Sequence, residues 1–369
     1  MSDARPLKLG FIPLNDAAAM IVAQEKGFFA AEGLAVTLSR EVSWATIRDK
    51  VAVGALDGAH MLAPLALAMT SGASGLDPTP LVAPLALGLN GPAITLASRL
   101  AAAAGPGTGA EGLARLIARR RAEDASRITL AVVFPFSAHN YLLRDWLAAA
   151  GVDPDRDIRL TVAPPSRMTE LLSGGVIEGF CATEPWNAVA VAAGAGVLAV
   201  RGSQLWPRMP DKVFAVTEAW ASAHAETLQA LSRALIRGAA WADEPGNRGD
   251  LAALLAQPGY VGADAELIAA SLPDIVFHAE GANAPLPVHA GWLLAQMARW
   301  GHIAASTDIP DLAGRVYRPD LYDAAARALG LPAAALSDTL EGDGEGRRFG
   351  LTAALRYAED APMSRLPRT

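Results

Sequence analysis

Short apolar runs alternate with helix-periodic segments along the first two thirds of this chain. Residues 7–12 and 36–39 have the pattern of strands, and the segment 17–29 between them has the apolar spacing of a helix. A later run, 128–134, is almost wholly apolar, as in a strand that is covered on both faces. This alternation predicts an α/β fold with mostly parallel sheets.

The α/β theme occurs twice along the chain, which predicts two lobes. Lobe I is expected to comprise residues 1–96 and 205–336, and lobe II residues 97–204, inserted through two crossovers. Lobe I would have a helical C-terminal part, and residues 337–369 are expected to form a loose tail. The sequence therefore predicts a bilobal clamshell that holds its ligand beyond the carboxyl ends of the strands.

Composition and motifs exclude several function classes. The net charge of −7 argues against a nucleic-acid surface, and the single Cys181 excludes an internal disulfide. No apolar run is long enough to span a bilayer, which predicts no membrane insertion. The chain also lacks the motifs of serine hydrolases, P-loop proteins and zinc proteases, so we expect neither catalysis nor a metal or cofactor.

Four residues at the ends of predicted elements form a candidate anion site. These residues are Trp44, His139, Thr183 and Lys212. His139 falls in the first turn of a helix capped by Ser137, where free N–H groups and the helix dipole favour anions. Each residue also has an ordinary interpretation, because a Trp at a helix start commonly packs in the core and a Lys in a turn is commonly solvated.

Motifs distributed along nearly the whole chain point to a known family. They are Phe11-Ile-Pro-Leu14, Glu25-Lys-Gly-Phe-Phe29, Ser43-Trp44, Asp57-Gly-Ala-His-Met-Leu-Ala-Pro64, Gly179-Phe-Cys-Ala-Thr-Glu-Pro-Trp-Asn187 and Arg299-Trp-Gly301. In this order they resemble the nitrate- and bicarbonate-binding proteins of the NrtA/CmpA family. The resemblance implies the type II periplasmic-binding-protein fold, in agreement with the predicted clamshell.

The resemblance also implies roles for the four candidate residues. Trp44 would form a wall and offer its indole N–H, while His139 and Lys212 would hold anion oxygens. Thr183 stands where the family commonly has Gly, so its backbone is the expected contact.

The sequence departs from the family pattern beside this site. Pro92 stands where the family often has a side-chain amide, and it can donate no hydrogen bond, so Asn90 or a water is the expected substitute. Bicarbonate-binding relatives carry an acidic residue in place of Lys212 and use calcium. The resemblance therefore implies nitrate or nitrite as the ligand, without a metal.

Three functions are compatible with this resemblance. The chain enters the first strand soon after Met1, which resembles cytoplasmic nitrate sensors of the NasS type; these sequester an RNA-binding antiterminator of the NasT type until nitrate binds. The alternative is the solute-binding component of an ABC-type nitrate transporter, which would be periplasmic and have lost its signal peptide. A third possibility is an enzyme on the same fold, although no nucleophile–base pair is visible.

Overall fold

The computed structural model describes residues 6–75, 77–105, 110–342, 346 and 348–366. In chain order the strands are β1 Leu7–Phe11, β2 Val36–Arg40, β3 Gly58–Leu62, β4 Leu81–Ala86, β5 Leu89–Asn90, β6 Pro92–Ala97, β7 Ile128–Val132, β8 Ile158–Val162, β9 Gly179–Thr183, β10 Gly196–Arg201, β11 Lys212–Thr217, β12 Ile275–Val276, β13 Thr339–Leu340 and β14 Phe349–Gly350. The α-helices are α1 Ala18–Glu25, α2 Phe28–Ala31, α3 Trp44–Ala52, α4 Ala63–Ser71, α5 Ser98–Ala104, α6 Glu111–Ala122, α7 Ala138–Ala149, α8 Met168–Ser173, α9 Trp186–Ala192, α10 Gly202–Leu205, α11 Glu218–Ala223, α12 Ala225–Asp243, α13 Arg248–Leu255, α14 Ala265–Ser271, α15 Pro287–Arg299, α16 Ile309–Val316, α17 Pro319–Ala328 and α18 Ala354–Asp360.

Two five-stranded sheets organise the molecule, and the predicted α/β class is confirmed. The first sheet has the order β2-β1-β3-β11-β4, and the second has the order β10-β6-β9-β7-β8. Each sheet is mixed, because four strands share a direction and one is reversed: β11 in the first sheet and β6 in the second. The two reversed strands follow the places where the chain leaves one sheet and enters the other.

The predicted boundary between the lobes at residues 96 and 97 falls within strand β6. Strand β6 was expected in lobe I, since that lobe was predicted to extend to residue 96, but it pairs with β9 and β10 of the second sheet. Asn90 and Gly91 explain why β6 joins the second sheet. Both have positive φ, 67° and 96°, and they turn the chain into that sheet directly before Pro92. The remaining division into lobes stays a prediction, in which we assign each lobe to one sheet.

The helical C-terminal part packs mainly on the first sheet's side of the molecule. Helix α12 lies against α1 so closely that a Cβ on Gly238 would stand 2.2 Å from the carbonyl oxygen of Ala19, so this position requires glycine. Helix α15 contacts α4 and α16. Within the described ranges no helix is both long enough and apolar enough to cross a membrane.

The tail is ordered more extensively than the sequence predicted for residues 337–369. Strands β13 and β14 pair, and helix α18 packs against α15. Phe349 is fully buried and meets the ring of Tyr357 edge-on at 5.2 Å. The prediction of a loose tail rests on the glycines and acids around residues 341–346, whereas the buried contacts are made by the apolar residues that follow. Residues 343–345, 347 and 367–369 lie outside the described part of the chain.

Candidate functional site

Seven side chains meet between the ends of the two sheets, and we call them the inter-sheet cluster. They are Asp16, Trp44, His60, His139, Thr183, Asp211 and Lys212. None of them is more than 3% exposed. Such burial of ionic groups is costly unless the groups are paired and hydrogen-bonded, so each partner in the cluster matters.

The two sheets contribute to the cluster through equivalent positions. The first sheet supplies Asp16 in the turn after β1, Trp44 at the start of α3, His60 within β3, and Asp211 and Lys212 at the start of β11. The second sheet supplies Thr183 at the end of β9 and His139 in the first turn of α7.

Serine caps fix the two helices that begin at the cluster. The side chain of Ser43 accepts a hydrogen bond from the backbone N–H of Thr46 at 3.2 Å, and Trp44 is the first residue of that helix. Ser137 accepts from the N–H of Asn140 at 3.0 Å and places His139 in the same way. The cap predicted at Ser137 and the cap observed at Ser43 therefore explain why an indole and an imidazole point from two helix starts into one place.

Lys212 lies at the centre of the first half of the cluster. Its ammonium donates to Asp16 Oδ2 at 2.8 Å, pairs with the Asp211 carboxylate, and lies 5.5 Å from the centre of the Trp44 ring. Burial alone would lower the pKa of Lys212, but the attraction of the two carboxylates outweighs it and raises the pKa above its ordinary value. Burial would raise the pKa of Asp16, yet Lys212 and His60 lower it well below its usual range. The lysine therefore carries its charge.

Thr183 joins the two halves of the cluster through its hydroxyl group. This hydroxyl donates to Asp211 Oδ2 at 2.8 Å and accepts from Lys212 Nζ at 3.1 Å. His139 Nε2 lies 2.6 Å from the same oxygen. Since the single hydroxyl proton goes to the carboxylate, we assign the Nε2–H tautomer to His139. Burial lowers the pKa of His139 to about 4, so the ring is neutral at pH 7.

Several polar atoms of the cluster have no hydrogen-bond partner among the described residues. These atoms are Trp44 Nε1, both ring nitrogens of His60, His139 Nδ1, Asp16 Oδ1 and Asp211 Oδ1. A buried polar atom without a partner costs about 1–3 kcal/mol, which is why native proteins leave few of them. The cluster thus holds a free indole donor beside a charged lysine, which suits a ligand that accepts hydrogen bonds.

The structure brings together four of the six residues proposed from the sequence. Trp44, His139, Thr183 and Lys212 all lie in the cluster, although Thr183 uses its hydroxyl there, whereas its backbone was the expected contact. Pro92 lies opposite Thr183 in the β6–β9 ladder. The side-chain oxygen of Asn90 accepts from the N–H of Met209 at 3.0 Å, and no contact of Asn90 with the cluster is found among the described residues.

Sequence reasoning missed the two carboxylates of the cluster and did not include His60 among the site residues. Asp16 Oδ1 lies 2.9 Å from His60 Nε2, so this histidine belongs to the cluster. The available signal was position, since Asp16 follows the first strand and Asp211 directly precedes Lys212. Within the described residues, no group of three or more His, Cys, Asp or Glu side chains is placed to hold a metal ion.

The fold and the position of the cluster define a class of protein. Two mixed sheets with one reversed strand each, and a buried polar cluster between them, have the architecture of the periplasmic-binding-protein fold. A sequence model of the NMT1-like family matches residues 2–256, and the chain belongs to this family.

Known relatives extend over almost the whole chain. It is 38% identical to the nitrate import ATP-binding protein NrtC of Synechocystis sp., over 91% of this chain and 51% of the relative. It is also 38% identical to the bicarbonate transport ATP-binding protein CmpC of the same organism, over 88% of this chain and 50% of the relative. The chain thus spans about half the length of these curated relatives.

A solved structure confirms the resemblance found in the sequence. The crystal structure of the periplasmic nitrate-binding protein NrtA from Synechocystis matches with a TM-score of 0.91 at 30% identity, and the match covers 97% of this chain and 99% of that one. The predicted relationship to NrtA-type proteins and the predicted periplasmic-binding-protein fold are therefore confirmed.

Proposed function

We propose that this chain binds a small planar oxyanion, nitrate or nitrite, in the inter-sheet cluster, as the solute-binding part of a nitrate import system. The observation that carries this proposal is the convergence of donors from both sheets. Lys212 Nζ and His139 Nε2 lie 3.1 Å and 2.6 Å from one oxygen, the hydroxyl of Thr183. The role is one of binding without catalysis.

The chemistry of the cluster suits a dehydrated monoanion. Lys212 supplies a positive charge, His139 and Trp44 supply N–H donors, and the Trp44 ring supplies a flat wall. Stripping water from an anion is costly, and charge-assisted hydrogen bonds offset that cost. The equal identities to NrtC and CmpC do not separate nitrate from bicarbonate, so our preference for nitrate rests on Lys212 and on the NrtA structure.

A cytoplasmic sensing role with a NasT-type antiterminator as partner is the second candidate. Its support is the family resemblance in the sequence, whereas the relationship to NrtC and NrtA favours transport. Co-purification of the chain with such an antiterminator, released by nitrate, would support sensing. Co-purification with the membrane components of a transporter would support import.

Calorimetric titration with nitrate, nitrite, bicarbonate and chloride tests the ligand, with bicarbonate titrated both with and without calcium. We expect heat from nitrate or nitrite in the absence of a metal. Calcium-dependent binding of bicarbonate alone, or no heat from any of the four anions, would overturn the proposal.

A conservative variant tests whether the indole of Trp44 contacts the anion. Trp44→Phe keeps an aromatic wall and removes the N–H donor, so nitrate affinity should fall about tenfold, as expected for one lost hydrogen bond to a charged group. Trp292→Phe is the matched control, because Trp292 is also buried with an unpartnered Nε1 among the described residues and lies outside the cluster. Equal affinities in Trp44→Phe and Trp292→Phe would remove Trp44 from the site.

A further inference from the structure

The carboxylate of Asp211 lies beside two of the donors that the proposed function assigns to the anion, Lys212 and His139. Its Oδ2 accepts from the Thr183 hydroxyl at 2.8 Å and pairs with the ammonium of Lys212. The same oxygen lies 3.6 Å from His139 Nε2. One buried oxygen of the protein itself therefore faces Lys212 and His139, two of the groups that would hold the anion, together with the hydroxyl of Thr183.

A carboxylate resembles the proposed ligand in shape and charge. Both are planar, both carry one negative charge, and both present two oxygens on a trigonal centre, so donors placed for one also suit the other. We propose that Asp211 is an internal competitor, whose carboxylate fills the oxyanion position and is displaced when the anion binds. This inference rests on the proposed function.

The charges around Lys212 identify Asp211 as the carboxylate that yields. Asp16 bridges two partners, Lys212 at 2.8 Å and His60 at 2.9 Å, through its two oxygens. The Oδ1 atoms of both carboxylates lack a hydrogen-bond partner in the described part of the chain, but only Asp211 reaches the second sheet, because its Oδ2 accepts from Thr183 and lies 3.6 Å from His139 Nε2. When the carboxylate of Asp211 moves away, Asp16 still balances the charge of Lys212. The bound monoanion then replaces the negative charge that Asp211 had placed beside the lysine.

Internal competition sets a threshold for binding. The apparent affinity equals the intrinsic affinity multiplied by the fraction of molecules in which the donors are free. An anion must therefore outcompete a tethered carboxylate, which lowers the apparent affinity of every anion by the same factor. Removing the competitor should raise the apparent affinity without any new contact to the ligand.

The test compares two substitutions, each of which removes one negative charge from a carboxylate paired with Lys212. Asp211→Asn removes both the charge and the competing anion, and we expect nitrate to bind about tenfold or more tightly in calorimetric titration. Asp16→Asn removes one charge and leaves Asp211 on its donors, so it should not reproduce this gain. Asp211→Ala removes the carboxylate by a second route and should tighten binding as well; thermal unfolding of each variant verifies that it is folded.

The outcomes separate this inference from the proposed function. If the wild-type protein binds nitrate and Asp211→Asn and Asp211→Ala bind it equally or more weakly, Asp211 is not a competitor, although the site stands. If Asp16→Asn tightens binding as much as Asp211→Asn, the gain arises from charge alone and the inference is wrong. If neither the wild-type protein nor any variant binds nitrate, nitrite or bicarbonate, the proposed function fails and the inference fails with it.

Discussion

Lys212 shows how far the environment of a residue can depart from its sequence context. A lysine within Pro-Asp-Lys is commonly solvated, yet this one is 2% exposed and is held by Asp16, Asp211 and Thr183. Two buried carboxylates depend on its charge. Its removal should therefore affect folding as well as binding, and a stability measurement has to accompany any binding measurement at this position.

A double-mutant cycle measures this dependence. Lys212→Met leaves Asp16 and Asp211 without their cation, and breaking such a buried pair typically costs about 3–5 kcal/mol in the free energy of unfolding. Adding Asp211→Asn removes one of the stranded charges and should recover part of the loss, because the two residues interact directly. Urea unfolding of the two single variants and the double variant provides the measurement, and strictly additive effects would contradict the coupling.

The sequence predicted the donors of the site better than its acceptors. Trp44 and His139 follow recognisable caps at helix starts, so their direction was deducible from local rules. Asp16 and Asp211 lie in turns, where acids are usually solvated, and only the folding of one sheet end against the other buries them. No periodicity along the chain records a contact between residues almost 200 positions apart, as in the Asp16–Lys212 pair.

At the scale of elements, the first turn of α7 supports the site. Ser137 is fully buried; its hydroxyl donates to the carbonyl of Phe134 at 2.7 Å and accepts from the N–H of Asn140. The strand, the turn and the helix start are thus tied together by one side chain. His139 stands two residues after this cap, so the position of its imidazole depends on the order of that turn.

Substitution of Ser137 should therefore weaken both stability and binding. We expect Ser137→Ala to lower the free energy of unfolding by about 1–2 kcal/mol, the usual cost of a lost cap, and to reduce nitrate affinity. Thr217→Ala is the control, because Thr217 caps α11 at the far end of β11 from Lys212. It should lose comparable stability while keeping its affinity for nitrate, and chemical denaturation with calorimetry measures both quantities. Unchanged affinity in Ser137→Ala would mean that the cap does not position His139.

The tail illustrates what element-level patterns can and cannot predict. A short glycine- and acid-rich segment before residue 346 favoured a loose tail, and the helix that follows it, α18, is only seven residues long. The turn that precedes this helix packs closely on Gly291 in α15, where a Cβ would stand 2.2 Å from the side chain of Leu351. That contact joins residues 60 positions apart, so the sequence offered no local indication of it.

At the scale of the whole molecule, contacts outside the cluster also join the two halves. The indole N–H of Trp186 donates to the carbonyl of Pro13 at 2.9 Å, and the backbone N–H of Asn15 donates to the carbonyl of Glu184 at 3.0 Å. Both contacts connect the turn after β1 to the segment after β9. The two sheets are therefore held together beside the cluster as well as through it.

Buried titratable groups should make the stability of the whole molecule depend on pH. Burial lowers the pKa values of His139, His289 and His302 from 6.5 to about 4. Between these values the unfolded chain binds more protons than the folded chain, so stability falls as the pH falls. Glu184 opposes this, because burial raises its pKa from 4.5 to about 7 and its stabilising effect is lost as the pH rises.

The effect of the three histidines on stability exceeds the opposite effect of Glu184, so stability should fall as the pH falls. We expect the free energy of unfolding to decrease by about 3–5 kcal/mol from pH 6.5 to pH 4.5, as measured by urea denaturation. His289→Gln removes one of the three groups at a position outside the cluster and should make the dependence shallower. A stability that is flat or rises over this acidic interval would contradict the buried, neutral state of these rings.

The position of Trp44 over Lys212 also has an optical consequence. The indole lies 5.5 Å from a buried ammonium and its ring stands 5.4 Å from that of His60, so any anion that reaches this place changes the electric field across the chromophore. Indole emission responds to such fields in both colour and intensity. Of the eight tryptophans in the chain, this one should report occupancy without a dye, as the difference between the spectra of the wild-type protein and of Trp44→Phe.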